Sequence, residues 1–98
     1  MYANVTSVEI LSDKISEFIK IYKESVKPIV EKLKGLENLY VLTDKPNSKV
    51  LIVAIYSNTE DAENASNDGH VAAAIGKLAS TLVIESIGRE TFEVGIKI

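Results

Sequence analysis

Six aliphatic residues follow one another without a break from Val50 to Ile55, and this run constrains the fold more than any other feature of the chain. It is far too short to span a membrane. It is rich in β-branched side chains, which suit a pleated strand. Successive strand residues point to opposite faces. Val50, Ile52, Ala54 and Tyr56 therefore face one way, and Leu51, Val53 and Ile55 the other. The segment Leu36 to Asp44 repeats the pattern, with Tyr40 and Leu42 opposed to Leu39 and Val41. A sheet built from these strands is apolar on both faces at its middle, so both faces need cover.

The remaining elements follow from periodicity and punctuation. Tyr2 to Ile10 reads as a strand, with branched Val5, Thr6 and Val8. Ser12 or Asp13 is the expected cap of a first helix, on which Ile15, Phe18, Ile19, Tyr22, Val26, Ile29, Val30 and Leu33 form one apolar stripe. The lysines and glutamates between them form a solvated face. Pro28 lacks an N–H and crowds the preceding turn, which predicts a kink or two helical pieces. Gly35 is the expected helix end. Lys45-Pro46-Asn47-Ser48 is a turn, and it makes Leu36–Asp44 and Lys49–Ser57 an antiparallel hairpin. Thr59 is the expected cap of a second helix, which Asn67-Asp68-Gly69 interrupts. A further helical piece carries Val71, Ile75, Leu78 and Leu82 on one stripe. Arg89 to Ile98 is the expected last strand.

The order β-α-β-β-α-β predicts an α+β, ferredoxin-like layer of helices on one face of an antiparallel sheet. The 98 residues make a single domain, 1–98. They leave nothing to cover the second apolar face, so a homodimer is expected. A domain this small gains stability from such burial, and with no cysteine it has no disulfide to lean on. The net charge of −3, with lysines and arginines dispersed, gives no phosphate-binding footprint, so no nucleic acid is expected. The opening residues already alternate like a strand and show no basic start before an apolar run, so a cytoplasmic location is expected and no membrane partner.

Four stretches carry a family resemblance: Val5-Thr6-Ser7-Val8-Glu9-Ile10, then Lys14 to Phe18, then Val50 to Tyr56, and finally Thr59-Glu60-Asp61-Ala62 leading to Asp68-Gly69-His70-Val71. On these the chain resembles the antibiotic biosynthesis monooxygenase-like family of the dimeric α/β-barrel superfamily. The resemblance implies two copies closing into a barrel, a pocket between helices and sheet in each, and a small organic molecule as ligand. It includes cofactor-free monooxygenases of aromatic polyketides or quinols, haem-degrading enzymes and an isomerase of a phosphorylated sugar. Haem-degrading relatives use a strand-one asparagine, which Asn4 matches. Their helix-two tryptophan position looks like Ala65 and their iron-ligand position falls near Ile75, so haem degradation is not expected. Monooxygenase relatives often carry a tryptophan at the end of strand three, where this chain has Tyr56.

Candidate site residues follow. His70, the lone histidine, titrates near neutrality and suits a general base or acid; a histidine at a helix start also occurs without any task. Asn4, in mid-strand where asparagine is disfavoured, suits a hydrogen bond to a carbonyl or oxyanion. Tyr22, Tyr40 and Tyr56 are candidate pocket phenols, although such tyrosines are commonly core residues with a wet tip. Arg89 is a candidate anchor for an anionic group. Glu60, Asp61, Glu63 and Asp68 read as capping and helix-dipole complements rather than as a metal site, and neither metal nor cofactor is expected. Two functions remain open: a cofactor-independent monooxygenase or isomerase acting on a phenol, quinol or enol, and a non-catalytic homodimer that binds a small ligand or serves a stress role.

Overall fold

A computed structural model describes the whole chain, Met1–Ile98. Four strands, β1 (Tyr2–Ile10), β2 (Leu36–Asp44), β3 (Lys49–Tyr56) and β4 (Leu82–Glu93), form one antiparallel sheet in the order β2-β3-β1-β4. Helices α1 (Ile15–Ile21) and α2 (Lys27–Val30), joined by a π-helical turn at Tyr22–Val26, cross one face, followed by α3 (Thr59–Ser66) and α4 (Gly69–Gly76). The fold is α+β and ferredoxin-like. Register assigns the faces: Tyr2, Asn4, Thr6 and Val8 pair with Tyr56, Ala54, Ile52 and Val50. This row lies under the helices.

The helical interruption has a physical cause two residues before Pro28. Phe18, Tyr22, Val26 and Val30, all buried, are spaced four apart. That spacing outruns the 3.6-residue turn of an α-helix, so an uninterrupted helix would rotate the later members off the core. The π turn inserts the extra residue that restores alignment, closing with Lys27 N–H donating to the Tyr22 carbonyl. Pro28 then sits in the first turn of α2, where a missing N–H costs least. Val8, Ile10 and Val50 complete the core from the sheet.

Several local expectations are corrected. Neither Ser12 nor Asp13 caps α1: Asp13 is left-handed at φ 62° and Lys14 precedes the helix without a side-chain cap. The cap of α3 is Asn58, whose Oδ1 accepts from Asp61 N–H at 2.8 Å, so Thr59 is already helical. Gly35 stands five residues beyond the end of α2 and immediately precedes β2, with φ +78°. Residue 57 lies just past β3. The last strand is Leu82–Glu93 rather than Arg89–Ile98. Its length is set by its partner, since pairing runs from Ile10–Leu82 to Tyr2–Glu93 and β1 then ends. The sequence obscured its start because an irregularity lies between the Ser7–Gly88 and Glu9–Val83 pairs. There Ser86 Oγ takes the Glu9 N–H at 2.8 Å and donates to the Val83 carbonyl at 2.5 Å, replacing the lost ladder bond.

On the open face of the sheet Tyr40 is 54% and Leu42 49% exposed, with Leu51 paired to Leu42 and Phe92 exposed on the far edge strand β4. The two-sided apolar pattern is therefore present, and the chain itself covers one side of it. No helix is long and apolar enough to cross a membrane.

Gly35 gives a direct test of the packing between the β2 entry and α3. A Cβ there would sit 2.2 Å from Asp61 Oδ2, at a backbone angle that side chains rarely adopt. Gly35→Ala should destabilise the fold by more than about 1 kcal/mol in urea titration. Gly76→Ala, with nothing within 4 Å of the new carbon, should be neutral or slightly stabilising.

Candidate active site

The row of β1 side chains under the helices is polar at one end and apolar at the other. Val8 and Ile10 pack into the core, while Asn4 and Thr6 stay only partly buried. Above these two the helices and sheet enclose a cavity of about 430 Å³, a volume suited to a small organic molecule. Seventeen of its 24 lining residues are hydrophobic, so bound molecules are held mainly by apolar contact and oriented by few polar groups.

Tyr22 and Tyr56 supply the phenols. The π turn brings Tyr22 into the cavity wall, where its ring lies 5.9 Å from that of Phe18. Tyr56 comes from the end of β3. Burial pushes the Tyr22 pKa up to about 12, with a smaller contribution from repulsion by Tyr56, and burial raises that of Tyr56 too. Both phenols are therefore neutral hydrogen-bond donors over the physiological range. They suit an oxygen bearing negative charge and cannot serve as bases.

Asn4, Tyr22, Tyr56 and Arg89 all line this cavity, so the structure brings together four of the six residues singled out in the sequence. Arg89 pairs with Thr6 across the sheet and belongs to neither of the two ion pairs of the chain, Lys14–Glu17 and Lys27–Glu31. Tyr40 lies on the opposite face, paired with Val53. His70 is exposed in the first turn of α4, outside the cavity lining. Its backbone N–H donates to Asp68 Oδ1 at 2.8 Å, a bond of the helix start that leaves the imidazole unengaged. Asp68 and Asp61 act in caps, and no group of three or more potential metal ligands exists.

Thr6, Ser66, Glu90 and Thr91 also line the cavity and were not singled out. Thr6 was legible, because a residue two positions from Asn4 on a strand shares its face. Ser66 was not, since nothing in the α3 sequence marks its exposed end as a cavity wall. Ala65 and Ile75, which stand near positions of haem-degrading chemistry in the resemblance, are apolar lining here.

The sequence matches the antibiotic biosynthesis monooxygenase family over residues 1–77. The chain belongs to that family. No curated protein matches the sequence. Solved structures assigned to antibiotic biosynthesis monooxygenases share its fold. One from Nitrosomonas europaea has TM-score 0.80 and 13% identity, covering 98% of this chain and 100% of that one. One from Caulobacter crescentus has TM-score 0.81 and 12% identity, covering 97% and 90%. A third, from Deinococcus radiodurans, has TM-score 0.80 and 14% identity, covering 100% and 96%. At these identities the likeness concerns the fold.

The phenols give this family member a defined alkaline response. A raised folded-state pKa means that the native state holds its proton where the unfolded chain has lost it. Stability is then fully present below the ordinary tyrosine pKa of 10.0 and declines as pH rises toward about 12. Denaturation midpoints measured across that range should fall, and Tyr22→Phe should flatten the fall.

Proposed function

We propose that this protein is a cofactor-independent monooxygenase acting on a small phenol, quinol or enol held in the cavity. The observation that carries the reading is an apolar cavity whose few polar groups include the Tyr22 and Tyr56 phenols as hydrogen-bond donors, together with the Asn4 amide. Hydrogen bonds from Asn4 and Tyr56 to the substrate oxygen favour its anion over the neutral form, and the proton leaves to solvent. The anion delocalises charge onto a ring or enol carbon, which reacts with dioxygen. A methylene so attacked becomes a carbonyl with one oxygen atom, and the other leaves as water with the two methylene hydrogens. The substrate supplies all four electrons, so no cofactor is needed. Arg89 supports an acidic or phenolic group of the substrate.

The exposed position of His70 favours a second reading, in which the cavity binds a small ligand without turning it over. Oxygen uptake with anthrone-type and quinol substrates separates the two. Under the first reading, Asn4→Ala and Tyr56→Phe each lower kcat/KM by roughly a hundredfold, and His70→Ala leaves it unchanged. Saturable binding of the same compounds with no oxygen uptake would select the second reading.

A homodimer belongs to the same proposal. Tyr40, Leu42, Leu51 and Phe92 form an uncovered apolar face, and a second copy set against it would bury at least the roughly 1,600 Å² of a standard interface. A cytoplasmic location is proposed with it, from the sequence expectation. Light scattering should give twice the chain mass, and Leu42→Lys combined with Leu51→Lys should give a folded monomer.

A further inference from the structure

A second, open depression of about 220 Å³ adjoins the first, and the two share the side chains of Asn4, Ser66 and Thr91. Its character is different. Only Tyr2 and Ala62 of its seven lining residues are hydrophobic, and Glu63, Ser66, Asn67 and Thr91 form an exposed polar wall. It contains no lysine, arginine or histidine, and Glu63 gives it a negative charge. The shared wall is neutral and made of groups with free hydrogen-bonding capacity. Ser66 donates its hydroxyl to the Ala62 carbonyl at 3.1 Å and keeps its oxygen lone pairs. The Asn4 and Thr91 side chains make no hydrogen bond within the chain. Neither is an orphaned buried group, so both remain open to what occupies the cavities.

We infer that the two cavities form one bipartite site for a ligand whose apolar ring fills the larger chamber and whose neutral, hydroxyl-rich extension passes Asn4, Ser66 and Thr91 into the smaller one. The inference rests on the proposed ring-binding role of the larger cavity and adds the class of ligand. An anionic extension is disfavoured in the smaller chamber, because Glu63 repels it and that chamber's lining holds no cation, Arg89 belonging to the larger one alone. Hydroxyl groups fit, since each both donates to Glu63 or Asn67 and accepts from the amides of Asn4 and Asn67. An apolar extension would leave these polar groups desolvated and unpaired. Tyr2, Asn4 and Thr91 lie in the register rows under the helices, so this site is independent of the open sheet face.

The probes are 2-naphthol, its neutral β-glucoside and its anionic phosphate ester, tested by calorimetry on the full chain. The glucoside should bind at least about tenfold tighter than naphthol, and the phosphate no tighter than naphthol. Asn67→Phe, which fills the smaller chamber from an exposed position that the larger one does not share, should abolish the advantage of the glucoside while naphthol still binds. Amide resonances of Glu63 and Asn67 should shift with the glucoside and stay in place with naphthol, a readout on the unsubstituted protein that does not depend on the variant folding. Naphthol binding with no gain from the sugar, or a gain from the phosphate, would overturn the bipartite site and leave the ring-binding cavity standing. Failure of all three probes to bind would overturn the ring-binding reading and this inference with it.

Discussion

The alternation along β1 is the constraint on which the rest depends. β1 is hydrogen-bonded on both sides, to β3 and to β4, so its register cannot slip without breaking two ladders. Its helix-facing row reads Tyr2, Asn4, Thr6, Val8, Ile10. Val8 and Ile10 draw the helices down onto the sheet and build the core with Phe18, Val26 and Val50. Asn4 and Thr6 cannot be packed dry in the same way, because buried amide and hydroxyl groups need partners. Helix α3 crosses that end of the strand, where Ala62 and Ala65 pack with Ala54 and Tyr56, and the cavity remains beside Asn4 and Thr6. Core and ligand space therefore adjoin along one row of side chains.

How far this was legible depended on the kind of signal. Strand boundaries at Tyr2–Ile10 and Leu36–Asp44 were readable because alternation and turn residues agreed there. The break around Pro28 was readable as a break. The form of the break was carried by the strict four-residue spacing of Phe18, Tyr22, Val26 and Val30, which is a helical signal only if a π turn resets it. β4 was misplaced because its first half departs from alternation and Leu82 continues the apolar stripe of α4. Its true partner, β1, is more than seventy residues away in sequence, and only the three-dimensional register shows where pairing begins.

The candidate site shows the same division. Asn4 stood out by its place in mid-strand, and the three tyrosines, Arg89 and His70 by what their side chains offer; of these, Asn4, Tyr22, Tyr56 and Arg89 line the cavity. Type alone does not set direction: Tyr40 lies on the face away from the helices, and His70 projects from the start of α4. Asp68 fixes the helix start by accepting from the His70 and Val71 N–H groups, a need that accounts for the aspartate and not for the imidazole.

The chemistry open to the cavity follows from what burial does to a phenol. Desolvation favours the uncharged form, so Tyr22 and Tyr56 keep their protons and each has one to share. A site equipped this way selects ligands by their ability to accept hydrogen bonds while presenting an apolar body. It stabilises an anion that forms readily and does little for a substrate needing a strong base. Under the proposed function that preference suits enols, quinols and phenols, whose acidity comes from their own conjugation, with Asn4 and Tyr56 solvating the anion in a shaped, apolar space.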